Sequence, residues 1–253
     1  MPVPSLAARP PRQRRVITVA LIALATGALV LILSAAGVAP WDHGGPGAPA
    51  PHTVSVPLGG RGRAELAVLS GATSITVGTA ALPGELVRVS TPDGSGSVPG
   101  LAVSGGTVQL SLHGAGAGGG PAVVRVTLNR GVAWRLTFSG GASQTGVFLG
   151  RGRLREADFT AGSSQVTMRL PRPRGTVTIV LAGGASQVTL TAPPGVPARL
   201  ALDGGASTAT LAGHTATGIA GGTVLTAPGW SRTADRYDIL APAGISDISF
   251  GTW

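Results

Sequence analysis

From about Ala64 onward the chain alternates apolar and polar residues in short runs, and each run is broken by a cluster of glycine, alanine and serine. Alternation with a period of two is the signature of a strand with one buried face; no stretch here sustains the 3.6-residue period of an amphipathic helix. Four of the small-residue corners read Gly140-Gly141-Ala142-Ser143, Ala161-Gly162-Ser163-Ser164, Gly183-Gly184-Ala185-Ser186 and Gly204-Gly205-Ala206-Ser207, and their closing serines recur 21, 22 and 21 residues apart. Two outlying copies fit the same frame, Gly71-Ala72-Thr73-Ser74-Ile75-Thr76-Val77 and Gly244-Ile245-Ser246-Asp247-Ile248-Ser249-Phe250. A period of this size marks architectures whose single unit cannot bury its apolar face, so that neighbouring units stack into a continuous core. The pattern predicts an all-β chain folded as a β-solenoid of stacked coils of about 21 residues.

Aligning the copies on the corner gives columns. Before it stand Leu66, Leu136, Ala157, Ile179 and Leu200, and two residues later Val68, Phe138, Phe159, Leu181 and Leu202. After it stand Ile75, Thr145, Val166, Val188, Ala209 and Ile248, then Val77, Val147, Met168, Leu190, Leu211 and Phe250. These columns are expected to face inward and to stack from coil to coil at about 4.8 Å. Extending the parity of Val188 back to Ser186 puts Thr73, Ser143, Ser164, Ser186, Ser207 and Ser246 on the inner face as a structural ladder of hydroxyls. Ser74, Gln144, Gln165, Gln187, Thr208 and Asp247 then form an outward polar stripe. The corner glycines are expected where a tight bend calls for positive φ. Leu101–Leu110 and Ile219–Val224 read as shortened corners, His113–Pro121 as a flexible loop, and irregular ends as caps over exposed sheet edges.

The beginning of the chain follows different rules. Residues 1–15 hold Arg9, Arg12, Arg14 and Arg15 without an acid, and Val16–Ala39 is uncharged over 24 residues. At 1.5 Å per residue that run reaches about 36 Å, against a bilayer core of about 30 Å. It predicts one N-terminal transmembrane helix with the N-terminus cytoplasmic and everything after residue 40 outside. A cleaved signal peptide ending at Gly37-Val38-Ala39 is the rival; its apolar core should be shorter, and Pro40 sits badly after the cleavage point. Residues 40–58, with five prolines among glycine and alanine, read as a stalk, leaving 59–253 as the extracytoplasmic body.

All 19 basic residues are arginine, against 10 acids, and the net charge is +9. The tail explains +4 of this, and aromatic residues for base stacking are scarce, so nucleic acid is not expected as a partner. With no cysteine, the body has no disulfide or thiolate chemistry, and the only asparagine, Asn129, is followed by Arg130-Gly131 and so lies in no glycosylation sequon.

Candidate chemistry is thin. Gly114 to Gly119 fits a dinucleotide fingerprint in letters, yet Pro121 and the strand-like Val123-Val124-Arg125-Val126 follow where a helix is required. His43, His52, His113 and His214 are scattered, and no Gly-x-Ser-x-Gly elbow occurs. No catalytic, cofactor-binding or metal-ligating residue is assigned, and no small-molecule cofactor is expected. Glu156 and Asp158 share parity and are the pair a carbohydrate-active enzyme would use, although solvated charge explains them more simply. Arg151, Arg153 and Arg155 alternate on one strand, and Arg169, Arg172 and Arg174 follow one coil later. Together they form a candidate anion-binding patch for phosphate or carboxylate groups of an envelope polymer or lipid; the plainer reading is an exposed edge kept soluble by charge.

The repeated Gly-Ala-Ser-x-Val-x-Leu corner, best in Phe138–Leu211, resembles the head (GIN) domain of bacterial autotransporter adhesins and the related adhesin β-solenoid repeat family. The resemblance covers roughly residues 64–251 and implies a cell-surface β-solenoid without catalytic residues. No outer-membrane barrel accompanies it. The expected function is a membrane-anchored, non-enzymatic binding or structural module at the bacterial surface, with an envelope polymer or protein as partner. The alternative is an envelope-sensing regulatory subunit contacting a membrane partner.

Overall fold

The computed structural model describes residues 52–115 and 119–253; the expected tail, the membrane segment and most of the stalk, residues 1–51, lie outside the described residues. Where the sequence alternates, the backbone is extended. The strands are β1 (His52–Pro57), β2 (Arg63–Val68), β3 (Ala72–Ala80), β4 (Glu85–Thr91), β5 (Ser97–Ser104), β6 (Thr107–Gly114), β7 (Val123–Asn129), β8 (Ala133–Phe138), β9 (Ala142–Phe148) and β10 (Arg153–Phe159). They continue as β11 (Ser163–Arg169), β12 (Thr176–Leu181), β13 (Ala185–Ala192), β14 (Ala198–Leu202), β15 (Ala206–Leu211), β16 (His214–Ile219), β17 (Thr223–Thr226), β18 (Arg236–Leu240) and β19 (Ile245–Thr252). A single 3₁₀ turn, Trp230–Arg232, is the only helical element among the described residues, which contain no helix long and apolar enough to cross a membrane.

Two sheets face each other. One runs β1-β4-β7-β3-β9-β11-β13-β19-β15-β16 and the other β17-β14-β18-β12-β10-β8-β2-β6-β5. Each small-residue corner carries the chain from a strand of the second sheet to the strand facing it in the first. The chain is therefore laid down as seven two-strand layers, in the spatial order β6–β7, β2–β3, β8–β9, β10–β11, β12–β13, β18–β19 and β14–β15. Neighbouring layers pair in parallel and in register: Val166 lies opposite Thr145 and Val188, and Met168 opposite Val147 and Leu190. Every residue of the four predicted inward columns is buried. The stacked rings of Phe138 and Phe159, with centroids 4.6 Å apart and planes 9° from parallel, show directly that equivalent side chains touch.

The spatial order departs from the chain order at both ends. Layer β18–β19, the last in sequence, is inserted between β12–β13 and β14–β15, so that Ile239 separates Ile179 from Leu200 and Ile248 separates Val188 from Ala209. Layer β6–β7 likewise stacks outside β2–β3. Of the two segments read as shortened corners, Gly105 and Gly106 form a hairpin turn instead, linking β5 to β6 in an antiparallel pair, whereas Ala220-Gly221-Gly222 does carry the chain between sheets, from β16 in the first to β17 in the second. β5, β4 and β1 close one end by antiparallel pairing, and β16 and β17 the other. β1 shortens the expected stalk: residues 52–57 pair with β4, and Pro57 stands at the end of an edge strand, where its missing N–H disturbs little.

Two expectations about the corners are corrected. Thr73, Ser143, Ser164, Ser186, Ser207 and Ser246 are all exposed. They drop out of the paired register, because Ser163 pairs with Ala185 and the next pair is Gln165 with Gln187. The extra residue at the bend resets the parity, as a bulge does. Ala72, Ala142, Ser163, Ala185, Ala206 and Ile245 take the paired corner positions. The first glycine of a corner is needed for contact and not for φ. A Cβ on Gly140, Gly183 or Gly204 would penetrate the backbone of Ser70, Ala161 or Ala243 in the adjoining layer. Positive φ does occur at the second glycine of two corners, Gly184 and Gly205.

Several buried polar side chains are tied off between layers. Tyr237, fully buried, donates its hydroxyl to the Pro171 carbonyl at 2.7 Å, and its burial pushes the phenol pKa up. Trp134 donates its indole N–H to the Asn129 carbonyl at 3.0 Å. Asn129 in turn donates to the carbonyls of Leu82 and Glu85 and accepts from the Gly131 amide.

Gly183→Ala should therefore destabilise the protein by about 1–3 kcal/mol through overpacking. Gly78→Ala in β3, where a Cβ meets nothing within 4 Å, should leave the denaturation midpoint nearly unchanged. Guanidinium titration of the two variants checks the difference. Removal of Arg236–Trp253 should abolish cooperative unfolding, because it deletes an interior layer; a β-rich circular dichroism spectrum with a sharp thermal transition in the truncated protein would contradict the layer order.

Candidate functional site

On the outer face of the second sheet, one row of residues crosses the strands as Thr107, Glu65, Arg135, Glu156, Thr178, Asp238, Arg199 and Thr226. Opposite charges have been set side by side in this row. Arg135 reaches Glu156 at 3.3 Å and Asp158 at 2.9 Å, and Arg199 grips Asp238 with two hydrogen bonds. Arg199 and Arg236 also lie over Trp230, at 4.4 and 4.0 Å from the ring centroid. Glu65 accepts from the hydroxyls of Thr107 and Thr137. The carboxylate pair singled out for acid–base chemistry thus converges on a single guanidinium. Burial pushes the Glu156 carboxyl above the usual carboxylate range and Asp158 adds to this, while Arg135 and Arg155 oppose it.

The arginines expected as an anion-binding patch stand apart from that row. β10 begins at Arg153, and its register with β8 slips between Leu154 and Glu156, leaving Arg155 without a partner. Arg153 and Arg155 are exposed on either side of the buried Leu154. One layer on, Pro171-Arg172-Pro173-Arg174 leads into β12 with both prolines buried and both arginines exposed. Arg151, Arg153, Arg155, Arg172 and Arg174 line one groove of about 740 Å³, joined by Arg63 from β2, which the sequence reading did not include. Arg63 could have been found from its register, since Arg63 and Arg153 both pair with Ala133. Arg169 is not brought in: it lies over the ring of Trp253, 4.0 Å from its centroid. One acid, Asp235, lines the groove, and its carboxylate accepts the Gly175 amide at 2.6 Å. Among the described residues, none of the six groove arginines takes part in an ion pair.

Other candidates stay dispersed. His52 opens β1, His214 opens β16, and His113 lies 3.3 Å from the Ser111 hydroxyl. No group of three or more His, Asp or Glu among the described residues is placed to hold a metal ion. The glycine-rich run that matched a dinucleotide fingerprint follows β6 and leads into strand β7, not a helix, and its residues 116–118 lie outside the described residues. The polar stripe is stacked, Gln165 lying opposite both Gln144 and Gln187, but Asp247 separates Gln187 from Thr208.

The fold has a counterpart among solved structures. A crystal structure of a candidate cell adhesion protein from Clostridium sporogenes superposes with a TM-score of 0.60 at 14% identity, over 81% of this chain and 100% of that one. A candidate adhesin from Bacteroides fragilis covers 79% of this chain and 95% of its own at 9% identity, but its TM-score of 0.26 carries no argument. No family model matches the chain, and no curated protein does. At 14% identity the likeness speaks for the fold.

Glu156→Gln should change stability at neutral pH by no more than about 0.5 kcal/mol. A carboxyl whose folded pKa is raised favours folding below its unfolded pKa, and that contribution fades as pH rises through the folded value. The stability of Glu156→Gln relative to wild type should therefore increase from acid toward neutral pH, which urea titrations across that range would detect. A difference running the other way would mean that the Arg135 pair outweighs burial.

Proposed function

We propose that this chain is a single-pass membrane protein that displays a β-solenoid of the adhesin head (GIN) type outside the membrane, as a non-enzymatic binding or structural module at a bacterial cell surface. The observation that carries this reading is the stack of in-register layers and its likeness to the candidate cell adhesion protein from Clostridium sporogenes. The arginine-flanked apolar run Val16–Ala39 supports the anchor and its orientation, and without cysteine the body is held by packing and backbone pairing. In this proposal residues 1–15 are a cytoplasmic tail, 16–39 the anchor, 40–51 a proline-rich spacer, and β1 begins the displayed body. Such a body offers long, rigid faces whose equivalent side chains repeat at a fixed spacing, which suits contact with an extended partner.

Expression of the full chain with a C-terminal tag in a bacterial host tests this. The tag should sediment with membranes, resist extraction by carbonate and be shaved by protease added outside the cytoplasmic membrane. A tag protected until that membrane is broken, or one released in soluble form, would overturn the proposal.

A further inference from the structure

We infer that the arginine groove is a binding site for a linear polymer bearing an acidic group on each sugar or polyol unit. This deepens the proposed surface role, and rests on it only for where such a polymer is met.

The first observation is uncompensated charge. The chain pairs Arg88, Arg135 and Arg199 with carboxylates, yet leaves Arg63, Arg151, Arg153, Arg155, Arg172 and Arg174 without an ion pair among the described residues, around one groove. The one acid at the groove, Asp235, accepts the Gly175 amide and offsets only one of the six charges. Six like charges at close quarters repel one another, and a ligand that brings negative charge relieves this.

Rigidity is the second. Pro171 and Pro173 fix the backbone on which Arg172 and Arg174 stand, and the Pro171 carbonyl is pinned by the buried Tyr237 hydroxyl. The β-bulge at Arg155 turns that side chain and Arg153 outward from a sheet whose next inward residue, Ala157, is fully buried. Donors held in place before a ligand arrives lose little entropy on binding.

The third is shape. The arginines climb the stack: Arg63 on β2, Arg153 two strands away on β10, and Arg174 at the entry to β12 beyond it. Three strand spacings amount to roughly 14 Å, and the groove holds about 740 Å³. One phosphate or carboxylate would leave most of these guanidinium groups unmet, whereas a chain running along the stack axis meets them in turn. Behind the arginines Ala133, Leu154, Pro171 and Val177 are buried, so the surface a ligand meets is mainly guanidinium and backbone. No aromatic side chain lines the groove, so the base stacking that holds single-stranded nucleic acid has no platform.

The test is biolayer interferometry with full-length protein in detergent, at low salt, over immobilised polygalacturonate, poly(glycerol phosphate), dextran and oligo(dT). One or both acidic polymers should bind with an affinity that falls steeply with salt, and dextran should not. The Arg153→Ser/Arg155→Ser/Arg172→Ser variant should weaken binding at least tenfold. Arg125→Ser/Arg130→Ser/Arg232→Ser removes the same charge from exposed positions outside the groove and should change binding less than twofold. Equal losses in the two variants, tighter binding of oligo(dT) than of either acidic polymer, or full competition by monomeric galacturonate at millimolar concentration would each overturn the inference. Absence of polymer binding in a protein whose tag is shaved from outside removes the groove assignment alone. Polymer binding by a protein whose tag stays protected removes the surface role and leaves the groove.

Discussion

Backbone pairing between layers dictates where the strand side chains of the described residues can go. A parallel pair in register sets residue upon residue, so an inward side chain meets its equivalents above and below as well as the opposite sheet. Two strands joined by a corner cannot shield Val166 and Met168 from water, but seven such layers can, and both residues are buried. The same pairing brings the corners together, and there backbone meets backbone. The glycines at positions 140, 183 and 204 are small because the neighbouring layer occupies the space a Cβ would take. Ladder and corner are thus one constraint: the strand spacing that allows Phe138 to stack on Phe159 is the spacing that forbids a side chain at the bend.

Out-of-order layers alter how that constraint is met in time. If the chain simply wound upward, each layer could dock on its predecessor and most contacts would be local. Here β14–β15 has no neighbour on its inner side until β18–β19 arrives, and the strands capping the outer side, β16 and β17, are made in between. The ladder position between Ile179 and Leu200 is filled by Ile239, some forty residues past Leu200 along the chain. Contacts at such separation are paid for in loop entropy before they stabilise anything, which slows folding and makes it cooperative. The β18–β19 layer is accordingly interior to the stack: Tyr237 reaches Pro171, and the exposed Trp253 beyond β19 lies over Arg169 and donates its indole N–H to the Leu170 carbonyl.

The periodic part of this fold could be read from the sequence because its cause is local. Alternation around the corners identifies strands and their inward faces, and the inward columns from Leu66 to Phe250 follow from it. Three features escaped because their causes are not local. Nothing in Gly244-Ile245-Ser246 says whether that copy stacks at the end or in the middle; the choice depends on a partner far away in sequence. Strict alternation puts the serines at the bend inward, but the corner contains an extra residue that resets the parity. Nothing local to Asn129-Arg130-Gly131 says that the Asn129 side chain satisfies two carbonyls and an amide at a buried turn. In the arginine patch, spacing along β10 and one coil on was sufficient for five members; Arg63 and Arg169 depended on register and on the position of Trp253.

A contrast within the second sheet bears on what the groove is for. Along its outer row, opposite charges were brought together wherever the stack put them in reach, as in Arg135 with Glu156 and Asp158, and Arg199 with Asp238. Half-buried as they are, these pairs leave that face locally balanced. A few residues toward the start of the same strands, the balance is absent: Arg63, Arg153 and Arg155 precede Glu65, Glu156 and Asp158 on the strands that carry both. Solubility alone would be served by mixed charge as well as by one sign. Arginine of one sign, on proline-stiffened backbone, adds repulsion that folding does not require. That arrangement is explained when the compensating charge comes from outside the chain.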